Sequence, residues 1–509
     1  MKYQYAKLQN GSDIRGVAMA TDPALPVNLD EEAAGRLALG FLFLLTVRTG
    51  KQPRELTVAI GRDSRLTGEA LAAAAARSLI SKGARVLDAG LASTPAMFMA
   101  TVFPEYRADG AIMLTASHMP MNRNGLKFFT AEGGLEKGDI ADIINFAESD
   151  SILGRLYPGK GTCEQVALMD TYAAHLRGII CEGLSAAEND KPLAGLHIVV
   201  DAGNGAGGFY AEKVLAPLGA DLSGSQFLEP DGRFPNHIPN PENKEAIESI
   251  RAAVMENRAD LGLIFDTDVD RASAVDEQGR EINKNGIVAM AAALIADQCP
   301  GTTVVTDSVT SLQLKVFLEG TLGLKHLRYR RGYRNVINKS IELNAEGVDS
   351  ALAIETSGHA AYRENYFLDD GAYLATRIVI RAAELSREGK AISSVIADLA
   401  EPLEAAEYRL PIAGDDFAAT GDSIISYLTE LVRAGNLKGA SLEEPNYEGV
   451  RINFTAPTVD GWLLLRKSLH EPIMPLNMEA NAPGGLEVMK RVLVPLLAGF
   501  PQLDISKLQ

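Results

Sequence analysis

Residues Thr115-Ala-Ser-His-Met-Pro-Met-Asn-Arg-Asn-Gly-Leu-Lys-Phe-Phe129 follow an apolar run, Gly110 to Leu114, that is typical of a buried β-strand. The stretch passes through a loop rich in proline, asparagine and glycine and continues into a second apolar run. We therefore expect Ser117 to lie in the loop directly after a strand, with His118 next to it in the sequence and Lys127 ten residues further on. These three groups can form a nucleophile with acid and base support, although ordinary surface turns contain the same residue types.

The length, composition and net charge of the chain limit the number of its domains and the partners it can bind. Its 509 residues predict three or four domains, at ~150 residues each. Hydrophobic residues make up 46% and charged residues 23%, which provides for several cores in a globular protein. The net charge of -17 argues against binding to nucleic acid or to an anionic membrane. The site for any anionic substrate must therefore be a local basic region.

The cysteines and the apolar segments predict a cytoplasmic protein without a membrane partner. Cys163, Cys181 and Cys299 are widely spaced and form no CxxC pair, which argues against a disulfide scaffold or a thiolate metal site. Met1 to Arg15 has no apolar signal region. The most apolar run, Leu37 to Val47, is too short to span a bilayer and favours a buried helix.

One pattern of strand, small-residue loop, helix, glycine and strand occurs three times along the chain. Its copies begin at Leu56, Leu196 and Thr303, and each is typical of a βαβ unit. From about Glu404 the pattern stops, which indicates a domain of another type. We therefore predict three related α/β domains with mixed sheets, followed by a C-terminal α+β domain. The predicted domains are residues 1–180, 181–298, 299–403 and 404–509.

Three aspartates alternate directly after a predicted buried strand. They are Asp266, Asp268 and Asp270. Carboxylates this close together repel one another unless a hard divalent cation binds them. We therefore favour a magnesium site open to a phosphate. A calcium hand is one rival, because Glu277 falls at the twelfth position, but Arg271 stands where that loop needs glycine. A solvated acidic turn is the other alternative.

Two further segments combine side chains that suit a phosphorylated sugar. Glu355-Thr-Ser-Gly-His359 places short polar groups on a turn, where they suit sugar hydroxyls, although a capped turn explains the pattern equally well. Arg466, Ser468 and His470 alternate and can clamp an anion, with arginine as a bidentate fork. An ordinary edge segment is the alternative there. The glycine-rich residues 203–208 lack the spacing of nucleotide-binding loops and predict a tight strand-to-helix turn.

Taken together, these segments resemble the α-D-phosphohexomutase family, which includes phosphomannomutases, phosphoglucomutases and phosphoglucosamine mutases. Thr115 to Lys127 looks like the phosphoserine loop of that family, and Asp266 to Arg271 looks like its metal loop. Glu355 to His359 looks like its sugar-binding loop, and Arg466 to Pro472 like its phosphate-binding loop. The resemblance covers essentially the whole chain in the family's order. Supporting matches lie at Gly61 to Arg65, Asp201 to Gly205 and Asp231 to Asn236.

The resemblance implies four domains around a central cleft and a reversible transfer of a phosphoryl group between the 1- and 6-positions of a hexose phosphate. The reaction would pass through a phosphorylated Ser117 and a hexose 1,6-bisphosphate, which also serves as activator. Such transfer depends on positioning and charge neutralisation more than on covalent chemistry. One Mg²⁺ per chain would be held by Ser117 and the three aspartates.

The resemblance also implies roles for the residues around these loops. Arg15 and Arg271 would flank the transferring group, and Lys127, His118 and His359 would be the acid and base candidates for the sugar hydroxyl. Arg330 and Arg334 stand near positions that lysine or histidine often holds in the family. The substrate-binding residues would be Glu355, Ser357, Arg330, Arg334, Arg466, Ser468 and His470.

A few residues depart from the usual pattern of the family and leave the sugar open. Met119 stands where asparagine is usual, and Leu469 and His470 replace residues that are usually asparagine or threonine. Thr356 matches neither residue that is usual at a position distinguishing subfamilies. We expect a mannose or glucose phosphate as substrate, with a phosphoglucosamine mutase or an inactive sugar-phosphate binding protein as alternatives. Either a monomer or a homodimer is expected.

Overall fold

The structure is a computed structural model that describes residues 4–414, 416–455, 459–468 and 471–508. Contacts within the chain divide it into two compact units. The first comprises Met1–Leu294 and Ser357–Val395, and the second comprises Ile295–Thr356 and Ile396–Gln509. Within the described ranges, no helix has both the length and the apolar character needed to cross a membrane.

The first unit begins with a mixed sheet of eight strands. The strands are β1 (Gln9–Asn10), β2 (Asp13–Val17), β3 (Thr57–Arg62), β4 (Arg85–Leu91), β5 (Gly110–Leu114), β6 (Arg123–Thr130), β7 (Gly133–Gly134) and β8 (Thr162–Gln165). The helices are α1 (Glu31–Thr49), α2 (Gly68–Ile80), α3 (Thr94–Val102), α4 (Lys137–Glu148), α5 (Asp150–Leu153) and α6 (Leu168–Gly183). The order β1-β2-β6-β5-β3-β4-β8 places β5 and β6 side by side and antiparallel. The loop that joins these two strands carries Ser117.

Helix α1 shows how local sequence anchors this sheet. The Asp30 carboxylate accepts a hydrogen bond from the Ala33 backbone N–H at 2.8 Å and caps the first turn. Gly50 ends the helix in the left-handed conformation, with φ of 72°. Phe41 of α1 packs against Phe128 of β6 with ring centroids 4.9 Å apart. The helix thereby holds the strand that carries Lys127.

The second sheet of the first unit has four strands. They are β9 (Ile198–Asp201), β10 (Leu261–Phe265), β11 (Ala272–Asp276) and β12 (Glu281–Ile282), with helices α7 (Lys244–Asn257) and α8 (Asn285–Ala296). In the order β12-β11-β10-β9, β10 runs parallel to β9 and antiparallel to β11. Phe265 pairs with Ala272, so residues 266–271 form the turn between two buried strands.

The second unit begins with three parallel strands in the order β14-β13-β15. They are β13 (Thr303–Thr306), β14 (Lys325–Arg328) and β15 (Leu352–Ile354), with helices α9 (Leu312–Val316) and α10 (Tyr333–Ala345). The following segment belongs to the first unit. It contains the antiparallel pair β16 (Ala360–Tyr362) and β17 (Leu368–Asp369), and helix α11 (Gly371–Arg387).

The C-terminal part of the second unit is an antiparallel sheet in the order β18-β22-β21-β20-β19. Its strands are β18 (Glu404–Pro411), β19 (Ala440–Leu442), β20 (Val450–Phe454), β21 (Gly461–Leu465) and β22 (Ile473–Ala480). Its helices are α12 (Phe417–Arg433) and α13 (Gly485–Leu497). Buried residues of both helices and of the sheet, among them Ile424, Leu463 and Leu493, form one core.

The predicted fold class is confirmed, because three α/β segments precede an antiparallel α+β domain. In the second and third copies of the repeated pattern, the helices predicted at Phe209 to Leu215 and Leu312 to Leu318 differ in type, because residues 210–215 and 317–321 are π-helical. The strand predicted after the glycine of the second copy, Gly219, is reduced to isolated bridges at Asp221 and Gln226. Ser223 turns the chain there by donating hydrogen bonds to the Asp221 carboxylate. The four domain boundaries and the central cleft stay predictions.

The loop after β9 supports the turn between β10 and β11, and this contact predicts the effect of a small substitution. A Cβ at Gly205 would lie 2.6 Å from the carbonyl oxygen of Thr267. Gly205→Ala should therefore lower the free energy of unfolding by ~1–3 kcal/mol, the usual cost of overpacking. Gly178→Ala is the control, because Gly178 lies on the exposed face of α6 and a Cβ there meets nothing within 4 Å. Equal melting temperatures for the two variants would contradict this close packing.

Candidate active site

Ser117 lies in the loop after β5 and is held in an unusual backbone conformation. Its φ of 49° is in the left-handed region, and its backbone N–H donates to the Thr115 hydroxyl at 2.9 Å. Its hydroxyl donates to Oδ2 of Asp266 at 2.9 Å and accepts from a guanidinium nitrogen of Arg271 at 3.0 Å. A nucleophilic oxygen is thus placed between a carboxylate and a cation inside the first unit.

The three aspartates predicted as a metal site come together on the turn between β10 and β11. Oxygen atoms of Asp266, Asp268 and Asp270 lie within 4.8 Å of one another, and all three residues are buried. Lys127 donates to both Asp268, at 3.1 Å, and Asp270, while Arg271 binds Asp266. Two cations therefore face three carboxylates.

Two observations show that this cluster fits a divalent cation. Oδ1 of Asp268 and Oδ1 of Asp270 are buried and have no hydrogen-bond partner among the described residues. Burial, followed by the charges of Asp270 and Asp268, raises the pKa of Asp266 well above its usual value. Carboxylate oxygens are the ligands that Mg²⁺ and Ca²⁺ take in proteins, so the donor set and its uncompensated charge suit such an ion.

A calcium hand does not form here. The aspartates lie on a turn between antiparallel strands, whereas a calcium hand lies between two helices. Glu277, the expected twelfth ligand, follows strand β11, and its carboxylate accepts hydrogen bonds from the hydroxyl, at 2.5 Å, and backbone N–H of Ser393. Its oxygen atoms are thus used elsewhere in the first unit.

His359 reaches this site from the segment before β16. Its backbone bridges to Arg271, and Nδ1 contacts Asp369 closely and lies 4.0 Å from Oδ1 of Asp270. Burial disfavours the imidazolium, but the carboxylates of Asp369 and Asp270 outweigh this and raise the pKa of His359 to about 9. The ring is therefore cationic at neutral pH.

His118 and Arg15 differ from His359 in their surroundings. Arg271 donates to Nδ1 of His118 at 2.7 Å, so this nitrogen is an acceptor and the neutral ring carries its proton on Nε2. Although His118 keeps exposed surface, desolvation and then the charges of Arg271 and Arg15 lower its pKa. Arg15 itself lies on β2 beside Gly125 and forms an ion pair of 2.9 Å with Asp13.

The predicted sugar loop falls on the boundary between the units, which lies between Thr356 and Ser357. In the second unit, Glu355 accepts a hydrogen bond from the Gly332 backbone N–H at 2.7 Å. Thr356 donates its hydroxyl hydrogen to Asp307 at 2.8 Å. Ser357 is buried in the first unit. Glu355 thus contacts the loop that carries the predicted arginines.

These two predicted arginines lie on either side of Gly332 in the second unit. Arg330 is exposed and contacts the hydroxyl of Tyr329 at 3.0 Å, whereas Arg334 is half-buried on α10. The intervening Arg331 was not predicted. It pairs with Asp307 at 3.4 Å, and its backbone N–H donates to Glu448.

The predicted phosphate loop is described except for Leu469 and His470, which lie outside the described residues. Arg466 is buried, and its Nε has no hydrogen-bond partner in the described part of the chain. Burial, followed by the like charge of Arg331, lowers the pKa of Arg466. Ser468 accepts a hydrogen bond from the Glu471 backbone at 3.3 Å. A buried guanidinium beside a second arginine favours binding of an anion.

Several residues of the site were missed because no chemical motif marks them. Thr94 begins helix α3 and donates to Asp268 at 2.5 Å. Asp307 accepts a hydrogen bond from the Thr356 hydroxyl and forms an ion pair with Arg331. Arg65 donates to backbone carbonyls of the Ser117 loop. Only Arg65 belonged to a segment singled out in the sequence, Gly61 to Arg65, and its partners could not be read from that segment.

A buried serine hydroxyl beside clustered carboxylates and cations, on three α/β segments followed by an antiparallel α+β segment, defines a multidomain α/β enzyme. Models of the phosphoglucomutase/phosphomannomutase α/β/α domains I, II and III match residues 6–151, 170–279 and 283–403. The chain belongs to the phosphoglucomutase/phosphomannomutase family.

Individual relatives agree with this assignment. A phosphomannomutase of Salmonella typhimurium is 30% identical over 493 residues, which cover 95% of this chain and 97% of the relative. A phosphomannomutase/phosphoglucomutase of Pseudomonas putida is 29% identical over 453 residues, 89% of either chain. The crystal structure of a phosphoglucomutase/phosphomannomutase family protein from Burkholderia thailandensis superposes with a TM-score of 0.76, at 26% identity and 96% coverage of each chain.

The carboxylate cluster predicts which substitution removes metal binding. Asp268→Asn keeps the shape of the side chain but removes its charge, so we expect the Kd for Mn²⁺, followed by electron paramagnetic resonance, to rise at least ~10-fold. Glu277→Gln is the matched control and should bind Mn²⁺ as the unsubstituted protein does, because Glu277 is bonded to Ser393. Unchanged binding by Asp268→Asn, or its loss in Glu277→Gln, would contradict this metal site.

Proposed function

We propose that this chain is a magnesium-dependent phosphohexomutase. It moves a phosphoryl group between the 1- and 6-positions of a mannose or glucose phosphate, through a phosphorylated Ser117 and a hexose 1,6-bisphosphate. The observation that carries the proposal is the Ser117 hydroxyl bonded to Asp266 and Arg271 within the carboxylate cluster. The names of the relatives, phosphomannomutase and phosphoglucomutase, support the same reaction.

In the proposed first half-reaction, a hydroxyl oxygen of the sugar attacks phosphorus and the bond from phosphorus to Ser117 Oγ breaks. Arg271 lies against Ser117 Oγ and stabilises the charge of the transferring group. A Mg²⁺ held by Ser117 and the three aspartates would add neutralisation of that developing charge. Asp266 gives a proton to Ser117 Oγ as that oxygen leaves phosphorus in the first half-reaction. In the second half-reaction, Ser117 Oγ attacks the other phosphate, the bond from phosphorus to the sugar oxygen breaks, and the Ser117 proton returns to Asp266.

His359 is the proposed group that exchanges the proton of the sugar hydroxyl. Asp369 contacts Nδ1 and keeps a proton there, so Nε2 is the exchanging nitrogen. The minor neutral form of the ring accepts the proton of the attacking hydroxyl, and the imidazolium gives it to the sugar oxygen that leaves in the second half-reaction. Lys127 is a weaker choice, since it serves two buried carboxylates as a cation. His118 is also weaker, because its Nδ1 already accepts from Arg271 and its Nε2 carries the remaining proton. His118 orients the phosphorylated serine instead.

The second unit is proposed to hold the phosphate that does not react. The positive charges of Arg466 and Arg331 repel one another, and a phosphate bound by both would relieve this repulsion. Ser468 and Glu355 are the proposed contacts to phosphate and sugar hydroxyls, with Arg330 and Arg334 further candidates. The enzyme is proposed to be a cytoplasmic monomer or homodimer, and its three cysteines form no disulfide with one another.

A substrate panel tests the reaction. The phosphorylated protein with Mg²⁺ is incubated separately with mannose, glucose and glucosamine 1-phosphate, and formation of each 6-phosphate is measured. We expect conversion of the mannose or glucose compound. Preference for the glucosamine compound would identify a phosphoglucosamine mutase, and no conversion of any compound, even with added hexose 1,6-bisphosphate, would reject a mutase.

The carrier role of Ser117 predicts a mass difference. Ser117→Ala removes the only proposed acceptor, so intact-mass analysis after incubation with hexose 1,6-bisphosphate should show no added phosphoryl group and turnover should be lost. Ser64→Ala, in a neighbouring loop of the same unit, is the control and should gain one phosphoryl group. A phosphorylated Ser117→Ala protein would show that another residue carries the group.

The anion site of the second unit predicts an effect on KM. Arg466→Ala should raise KM by roughly 10- to 150-fold, because one charge-assisted hydrogen bond contributes ~1.5–3 kcal/mol. Arg433→Ala, an exposed residue on α12 with the same charge, should leave KM unchanged. If KM stays the same in Arg466→Ala, the phosphate is bound elsewhere.

A further inference from the structure

Two sequence motifs have no part in the chemistry proposed above. One contacts the Ser117 loop, and the other packs against the first. The first is Gly61 to Arg65 at the end of β3, and the second is Asp231 to Asn236 in the second sheet's domain. Both belong to the first unit. Their contacts explain how Ser117 keeps its left-handed backbone.

Arg65 is the centre of these contacts. Its guanidinium is fully buried and donates to the carbonyl of Ser117, to that of Met119 at 2.6 Å, and to those of Pro120 and Arg123 at 2.9 Å each. One side chain therefore gathers four carbonyls of the loop between β5 and β6. Because both terminal nitrogens are used in this way inside the protein, Arg65 does not reach a substrate phosphate.

Asp63 links Arg65 to the backbone of the nucleophile. It forms an ion pair of 3.3 Å with Arg65 and accepts a hydrogen bond from the Thr115 hydroxyl at 2.7 Å. That hydroxyl in turn accepts from the backbone N–H of Ser117 at 2.9 Å. The carbonyl and the N–H of Ser117 are thus both fixed by the same buried ion pair.

The second motif covers Arg65 from the neighbouring domain. Phe234 places its ring 5.3 Å from the guanidinium carbon. Gly232 allows the approach, because a Cβ there would lie 2.4 Å from the carbonyl oxygen of Ser64. The covering ring keeps water from the guanidinium, so its hydrogen bonds to the loop stay strong.

We propose that Arg65 is a positioning residue for the phosphoryl carrier. By gathering the four carbonyls it holds Ser117 in the left-handed conformation that aims its hydroxyl at Asp266 and Arg271, and Phe234 supports it. The role of Arg65 in turnover rests on the proposed mutase function. Its role in ordering the loop does not.

The test uses Arg65→Lys, because one ammonium with three hydrogens cannot bind four carbonyls. Arg62→Lys is the control: it makes the same change in the same motif, where Arg62 donates a long bond of 3.4 Å to the Asp63 carbonyl and pairs with the exposed Glu69 at 3.8 Å, away from the Ser117 loop. We expect Arg65→Lys to lower kcat and the rate of Ser117 phosphorylation by hexose 1,6-bisphosphate by ~10²-fold, with KM within ~3-fold of the unsubstituted value. Arg62→Lys should keep both rates.

Hydrogen exchange followed by mass spectrometry tests the loop without any turnover. Amides of residues 115–123 should exchange at least ~10-fold faster in Arg65→Lys than in Arg62→Lys, while those of β10 and β11 stay unchanged. Phe234→Leu should cause a smaller increase in the exchange rate of the same amides. If Arg65→Lys does not fold, the exchange rates of Phe234→Leu test the role of Arg65 instead. Unchanged exchange at residues 115–123, or a parallel change of kcat and KM, would overturn the proposal. Failure of the unsubstituted protein to convert any hexose phosphate would reject the mutase function instead, and exchange would still decide the role of Arg65.

Discussion

The candidate site of the first unit depends on three buried carboxylates, those of Asp266, Asp268 and Asp270, whose oxygen atoms lie within 4.8 Å of one another. Charges that leave water carry a desolvation cost, and like charges at this distance add repulsion. Lys127 and Arg271 offset part of both, since each cation donates hydrogen bonds to carboxylates of the cluster. The remaining negative charge makes this turn selective for a cation, and it explains why the serine hydroxyl donates its hydrogen to Asp266.

The surrounding chain is arranged to keep that turn in place. Strands β10 and β11 fix both ends of it by their register, and Ala206 donates to the carbonyl of Thr267 at 2.8 Å from the loop after β9. The backbone N–H of Thr94 donates to the backbone carbonyl of Asp268, and the Thr94 hydroxyl donates to the Asp268 carboxylate. Segments from three separate parts of the sequence therefore stabilise one turn, so the geometry of the carboxylates is determined by packing and not by the turn alone.

The sequence predicts well those features that depend on a local pattern. Gly110–Leu114 is a strand with the predicted bounds, a strand begins at Thr303 as predicted, and the predicted buried strand ends at Phe265, directly before the aspartates. Each of the three is a short apolar run ended by polar or turn residues. The carboxylate cluster was predictable for a similar reason, since alternation after a buried strand places acidic groups at one strand end.

Features that depend on contacts between distant segments could not be predicted from a pattern. Arg65 looked like one charge in a loop, and only the fold brings four carbonyls around it. Arg331 was passed over in favour of Arg330 and Arg334, because spacing does not tell which of three arginines faces Asp307. Thr356 differs from its family's usual residues, and its hydroxyl is used within the fold by Asp307. The choice of sugar is thus not explained by that hydroxyl.

The two units hold opposite electrostatic imbalances, and this contrast supports a phosphorylated substrate more strongly than either site does alone. The first concentrates buried carboxylates, while the second places the buried Arg466 close enough to Arg331 for the like charge to lower its pKa. In a chain with a net charge of -17, a buried arginine beside a second, half-buried arginine costs stability unless an anion accompanies it. A phosphate ester needs a cation for the group that is transferred and arginines for the group that is held. A protein that only bound a sugar phosphate would need the second feature and would have no use for a serine hydroxyl placed among three carboxylates.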